Sequence, residues 1–209
     1  MALHLQSSLF DQGDESTLRP LDGLCRTQLG RGAWIDVLPQ WLTGADEVFA
    51  SLVRDVAWRA EQRMMYDHVV AVPRLLSFFG ADDPLPHPVL DEARAALCGH
   101  YTAELGEPFT TAGLCFYRDG NDGVAWHGDT IGRGRTEDTM VAILSLGTPR
   151  NLVLRPRGGG SPSVRKPLGH GDLIVMGGSC QRTWEHAIPK TARAVGPRIS
   201  VQFRPQGVR

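Results

Sequence analysis

Residues 139–157 read TMVAILSLGTPRNLVLRPR, two short runs of Val, Ile and Leu parted by Gly147, Pro149 and Asn151. Branched apolar residues in runs this short, closed by turn formers, read as two strands. The same grammar extends in both directions: TAGLCFYRDG (111–120), GDLIVMGG (171–178), RTWEHAIP (182–189) and PRISVQFR (197–204). At least six strands therefore occupy the chain from residue 111 onward.

The first half reads differently. ADEVFASLVRDVAWRAEQ (45–62) places Val48, Phe49, Leu52, Val53, Val56 and Ala57 on one helical face, with Asp46 and Glu47 at the positive end of the dipole. PVLDEARAALCGHYTAELG (88–106) is a second helix with Pro88 in its first turn and Val89, Leu90, Ala93, Ala96 and Leu97 inward. VPRLLSFFGADDPLPHP (72–88) between them is too rich in proline and turn residues to be regular. Helices followed by strands make an α+β domain whose antiparallel sheets form a sandwich or barrel, the helices packed on one face. A chain of 209 residues, 42% hydrophobic, supports one well-cored domain. Residues 1–30 read as an N-terminal arm and 31–209 as the domain.

Composition narrows the function classes. No apolar run approaches a membrane span and the N-terminus lacks the pattern of a secretory signal, so a cytoplasmic monomer with no membrane partner is expected. Cys25, Cys98, Cys115 and Cys180 are too scattered for a disulfide framework or a cysteine zinc site, and read as buried thiols. The net charge of −1 conceals two unlike halves: residues 1–126 hold 9 Lys/Arg and 18 Asp/Glu, residues 127–209 hold 13 and 5. The basic half, with Arg133, Arg135, Arg150, Arg155, Arg157, Arg165, Lys166 and Arg182, suits phosphates or another anionic partner, or neutralises the acidic half across the folded surface.

GVAWHGDTIG (123–132) carries the chemistry. Residues two apart on an extended strand share a side, so His127 and Asp129 can reach one ion. Such a pair arises easily by chance among seven histidines, and a third ligand is needed. His4 is in the arm, His87 and His100 flank a helix, and His170 sits in a turn. His186 lies inside the apolar TWEHAIP, where a core hydrogen bond is the ordinary role and ligation the alternative. Arg198 and Arg204, six apart on one strand, face one side while Ile199, Val201 and Phe203 face the other. Paired inward arginines require anionic company, which a dicarboxylate bound beside a metal would supply. Two histidines and a carboxylate are the facial set of non-haem Fe(II) oxygenases.

Taken together, VPRLLSFFG, GLCFYRDGNDGVAWHGD, VAILSLGTPRNLVLRPR, LGHGDLIVMGG, WEHAIPK and PRISVQFR resemble, in order and spacing from Val72 to Arg204, the AlkB-type Fe(II)/2-oxoglutarate dioxygenases. The resemblance implies a double-stranded β-helix, or jelly-roll, core in which His127, Asp129 and His186 bind Fe(II). It implies that Tyr117, Arg198 and Arg204 hold 2-oxoglutarate, with Cys115 and Ser200 at neighbouring positions where the family often has asparagine. O2 is the second co-substrate, and succinate and CO2 are products. The implied activity is dealkylation of nucleic acid bases in DNA, such as 1-methyladenine and 3-methylcytosine, with release of formaldehyde.

A base in a duplex must be flipped to reach such a centre and is then held by stacking. Trp126, Phe79 and the iron ligand His127 are the stacking candidates, Arg74 matches a position near the family's nucleic-acid lid, and Ile131 stands where repair members carry an acidic residue. Trp58 reads as packing a helix on the sheet. Ile131 keeps open an oxygenase acting on RNA, protein or a small metabolite, and a non-enzymatic jelly-roll binding module is the rival outside this chemistry.

Overall fold

The computed structural model describes residues 15–65 and 68–208; His4 and the first fourteen residues of the expected arm lie outside them. In chain order, β1 (Thr17–Leu18), β2 (Cys25–Gly30), β3 (Ala33–Leu38) and β4 (Leu42–Thr43) precede α1 (Ala45–Asp55). The antiparallel pair β5 (Arg59–Met65) and β6 (His68–Phe79) follows, then α2 (Pro88–Leu105). The second half runs β7 (Thr111–Tyr117), β8 (Val124–His127), β9 (Val141–Gly147), β10 (Arg150–Pro156), β11 (Val164–Leu168), β12 (Asp172–Gly178), a short α3 (Cys180–Thr183), β13 (Trp184–Ile188) and β14 (Arg198–Arg204).

An eight-stranded sheet has the order β2-β3-β12-β9-β14-β7-β6-β5, and a four-stranded sheet the order β11-β10-β13-β8. Two cores sandwich the large sheet. On one face Leu114, Phe116, Ala142, Leu144, Leu146, Ile199, Val201 and Phe203 pack against Val48, Phe49 and Leu52 of α1 and Val89, Leu90, Ala93 and Leu97 of α2. On the other, Tyr117, Val141, Ile143, Ile174 and Met176 meet Leu152, Leu154, Trp184 and Ile188 of the small sheet. Strand alternation thus sends every second residue of β7, β9 and β14 to the helices and the rest to the space between the sheets. This is the jelly-roll arrangement with helices on one face.

Three sequence expectations are corrected. First, α1 stops at Asp55 rather than continuing to 62; Val56 is extended, and the Trp58 indole donates to the Leu52 carbonyl at 3.1 Å while its ring lies tilted at 38° against Phe116, centroids 5.2 Å apart. Ala57, expected inward, is exposed. Second, VPRLLSFF is a strand: β6 pairs with β7 from Leu75↔Phe116 to Phe79↔Ala112. Pro73 is tolerated because the β5–β6 register shifts there, Ala60 pairing with Leu75 but Gln62 with Ala71, so its missing N–H falls in an irregular step of the ladder. Third, the residues of the expected arm from 17 onward are built in, with β1 paired to β4 and β2 forming the edge of the large sheet against β3. On that edge Cys25 is exposed, unlike the buried thiol expected; Cys115 and Cys180 are buried, and all four cysteines are free.

Candidate metal centre

His127 ends β8 and His186 lies directly opposite on β13, their ring centroids 4.3 Å apart. Between this pair and Ile188↔Val124 the small sheet bulges, β8 taking three steps where β13 takes two. The extra residue lets Val124 and His127 both face inward despite their odd spacing. Asp129 follows in the loop, and the ligating atoms of His127, Asp129 and His186 lie within 4.8 Å of one another. Gly128 has a steric reason to lack a side chain: a Cβ there would lie 2.2 Å from the Gln181 carbonyl oxygen and 2.7 Å from Arg157 Nη2.

Hydrogen bonds preset each ligand. His127 Nδ1 is 2.9 Å from the Ala125 carbonyl, so it carries the proton and leaves Nε2 with a lone pair, 3.7 Å from Asp129 Oδ1. The Asp129 N–H donates to Gln181 Oε1 at 2.9 Å, and Arg204 Nε donates to Asp129 Oδ2 at 2.6 Å. Burial pushes His186 down to about 3, reinforced by His127, and lowers His127 as well. Burial would raise Asp129, but Arg204 and then the two histidines outweigh it and hold the carboxyl near 2. Two neutral imidazoles and one carboxylate are the protonation states a hard-to-borderline divalent cation requires.

Beside the centre, β14 aims Arg198, Ser200, Gln202 and Arg204 into the space between the sheets. Arg198 is fully buried: Nε donates to Ser145 Oγ at 3.0 Å, and Nη1 is enclosed with no partner. Its guanidinium lies 5.2 Å from the centroid of the buried Tyr117 ring, whose hydroxyl burial pushes up to about 12, so it stays protonated. An enclosed cation with an unused donor beside a phenol O–H is a site made for an anion. A dicarboxylate fits this donor set, and iron fits the triad.

Cys115 and Ser200 both touch Gln202, whose Nε2 is 3.3 Å from Cys115 Sγ and 2.7 Å from Ser200 Oγ. Gln202 Oε1 in turn accepts from Arg204 Nη2 at 3.1 Å. Gln202, Ser145 and Gln181 were not singled out in the sequence; Gln202 could have been, since it shares the parity of the two arginines.

The expected substrate contacts divide. Arg74 is on the site side of β6, its Nη1 donating to the Gly123 carbonyl at 3.3 Å, and it acts electrostatically on Cys115, Tyr117 and His127. Ile131 is exposed, two residues beyond Asp129. Phe79 is turned the other way and packs against the helix-side core. Its neighbour Phe78 has the parity of Leu76, which packs against the core between the sheets, so Phe78 is the aromatic on the site face. Trp126 is also misplaced by the sequence reading: it lies under the Arg155 guanidinium at 4.2 Å, and Arg155 pairs with Glu185 on the side of β13 opposite His186. The basic excess of the second half is partly internal, since Arg133, Arg155 and Arg182 form ion pairs and Arg150 and Arg157 bond backbone carbonyls.

The family model for the 2OG-Fe(II) oxygenase superfamily matches residues 80–204, which contain the triad and both arginines. This chain belongs to that superfamily. Among curated proteins, alpha-ketoglutarate-dependent dioxygenase alkB homolog 3 of Bos taurus is 32% identical over 185 residues, 78% of this chain and 62% of that protein. DNA oxidative demethylase ALKBH2 of Homo sapiens is 28% identical over 182 residues, 77% of this chain and 68% of that one. The AlkB-type likeness read from the sequence is thereby borne out; the chain spans about three fifths of the alkB homolog 3 length, 62%. The fold is shared with OsALKBH1 (TM-score 0.59, 13% identity, 87% of this chain and 100% of that one). It is shared too with a prolyl hydroxylase from Trichoplax adhaerens (TM-score 0.58, 12% identity, 82% and 83%). The superfamily's Fe(II), 2-oxoglutarate and O2 are the cofactor and co-substrates expected at this centre. Among the described residues no helix is long and apolar enough to cross a membrane.

Proposed function

We propose that this oxygenase oxidatively removes alkyl groups from ring nitrogens of nucleic acid bases, acting on DNA as a cytoplasmic monomer. The observation that carries the reading is the inward His127–Asp129–His186 triad placed beside a buried, incompletely paired Arg198. Iron with 2-oxoglutarate and O2 supplies the oxidising power for a C–H bond, and an N-hydroxymethyl product breaks down to formaldehyde and the free base. The rest of the chemistry is the protein's. His127 and His186 would present neutral nitrogens, and Asp129 its carboxylate. Arg198 and Tyr117 would hold the far carboxylate of the oxo acid, and Ser145 keeps Arg198 in place by its 3.0 Å hydrogen bond. Arg204 fixes the Asp129 carboxylate through one oxygen and is braced by Gln202. Cys115 and Ser200 support the pocket through Gln202 rather than as the amide donors common at those positions. The apolar residues between the sheets keep bulk water from the reacting atoms. The names of the curated relatives, a dioxygenase and a DNA oxidative demethylase, support the same class.

The test is succinate and formaldehyde release on methylated single- and double-stranded DNA, with matched RNA and free nucleosides as competitors. Turnover on DNA with equal yields of the two products is expected. Succinate coupled only to RNA, protein or a small metabolite would overturn the substrate while leaving the chemistry, a rival that Ile131 keeps open.

A further inference from the structure

Arg150, one of the cations of the basic half, points inward. It opens β10 with the parity of Leu152 and Leu154, which pack the core between the sheets, and only 5% of it is exposed. Arg198 enters the same space from the opposite wall: it pairs with Gly147 at the end of β9, where the turn to Arg150 begins. The Tyr117 ring stands near both, its centroid 6.0 Å from the Arg150 guanidinium and 5.2 Å from that of Arg198.

The donors of Arg150 are occupied by backbone. Nη1 donates to the Asp119 carbonyl at 3.0 Å, and Nη2 to the carbonyls of Asp122 at 3.0 Å and Pro189 at 2.8 Å. Carbonyls satisfy N–H groups but leave the positive charge uncancelled. Two carboxylates act on that charge, Asp122 and Asp119. Asp122 is taken by Arg118, which donates from its backbone N–H and Nε to Oδ2 at 2.8 Å and from Nη2 to Oδ1 at 2.9 Å. Asp119 is exposed, where solvent screens it, and accepts from the Asn121 N–H. Arg198 likewise has no carboxylate of its own among the described residues: Ser145 accepts from Nε, and Nη1 is unused. Burial pushes Arg198 below its ordinary value, and repulsion by Arg150 adds to that. Two buried guanidiniums, one from each sheet, therefore share one space with less negative charge than they need.

We propose that Arg150 is a second cation of the oxo-acid pocket, acting without contact, and that it makes the pocket select a 2-oxo acid with a charged tail over one with an uncharged tail. This rests on the reading that Arg198 and Tyr117 hold the far carboxylate. With its N–H groups occupied, Arg150 acts through its field. A unit charge about 10 Å from the tail carboxylate, at an effective dielectric constant near 20, still contributes a factor of roughly ten. The three hydrogen bonds of Arg150 also clasp the loop after Tyr117 to the turn after β13, so charge and clasp have to be separated.

Anaerobic calorimetric titration of the Fe(II)-loaded protein with 2-oxoglutarate and with 2-oxopentanoate, which carries a methyl group in place of the far carboxylate, separates them. Wild type should prefer 2-oxoglutarate. Arg150→Gln should cut that preference about tenfold, weakening 2-oxoglutarate while leaving 2-oxopentanoate within about twofold, and Arg150→Lys should restore most of it. Arg118→Met, at a side chain 53% exposed, leaves the Asp122 carboxylate to face Arg150 and should cut the preference about threefold with the core untouched. Equal weakening of both acids by Arg150→Gln, with Arg150→Lys no better, would show a clasp alone and overturn the inference. Should Arg150→Gln fail to fold, an unchanged preference in Arg118→Met overturns it instead. Arg198→Met distinguishes the two levels: if it abolishes the preference while the Arg150 and Arg118 variants keep it, only this inference falls. A wild type that binds both acids alike refutes the oxo-acid reading as well.

Discussion

Replacing Gly128 by alanine tests the metal centre at its tightest point. The added Cβ would lie 2.2 Å from the Gln181 carbonyl and 2.7 Å from Arg157 Nη2. Arg157 can swing away; the carbonyl cannot, because it belongs to α3, tied by Thr183 N–H to Ser179 at 2.9 Å and running straight into β13. Ordinary carbon–oxygen contact is near 3.4 Å, so β8 and α3 must part by roughly 1 Å, while metal–ligand distances tolerate only about 0.2 Å. Overpacking of this kind costs about 1–3 kcal/mol, which in a chain this size is a fall in Tm of roughly 2–12 °C. Since His127 and Asp129 flank Gly128 while His186 follows α3, the triad opens as well. Anaerobic titration with Fe(II) and 2-oxoglutarate, following the visible charge-transfer band, should show affinity reduced by at least about tenfold, beyond what the Tm change alone explains. A variant that melts with the wild type and develops the full band at the same iron concentration would refute the packing argument for HGD.

Phe78→Ala and Phe79→Ala should separate cleanly. Phe79 packs against the helix-side core, and its truncation should lower stability by about 2 kcal/mol; Phe78, 47% exposed on the site face, should lower Tm less but raise KM for a methylated oligonucleotide by roughly tenfold. In the metal-free protein His186 is held near 3 against 6.5 for a free imidazole, so below pH 6.5 the unfolded chain binds a proton that the folded one refuses. Stability should therefore fall as acid is added, by about 2 kcal/mol between pH 7.5 and 5 from this residue alone, measurable as a drop in urea midpoint that His186→Asn reduces and the lowered His127 leaves in part. Asp129, with its lowered pKa, is lost in the same direction at still lower pH. Arg204→Met leaves a buried carboxylate without its 2.6 Å partner, so Asp129 should titrate upward and Fe(II) binding should acquire an acid limb absent from the wild type. An unchanged pH profile would show that the histidines, not Arg204, keep Asp129 ionised.

The strands were legible because each carries its own evidence. VAILSLG and RISVQFR alternate between two apolar cores or between a core and a polar set, and period two is visible in any single strand. The same parity put Arg198 and Arg204 on one side before any coordinates. Where parity was not applied, the reading failed: Phe79 was taken from FF although Arg74, Leu76 and Phe78 share the other side. Trp126 failed for the same reason, since alternation from His127 already turns it to the outer face; the bulge opposite Ala187 changes the side of Val124 instead.

Residue types, their order and their spacing determined on their own that the chain from residue 111 onward is built of strands, that His127, Asp129 and His186 are candidate ligands, and that two inward arginines need an anion. These are properties of short segments, set by side-chain chemistry and backbone period. Only the tertiary structure decided that β6 is a strand despite Pro73, that Arg204 bonds Asp129, that Gln202 links Cys115 and Ser200 to it, and that Phe78 rather than Phe79 is on the site face. Each of those depends on residues 33 to 87 positions apart being brought together, and the register that does so is chosen by the packing of the whole core rather than by any one stretch.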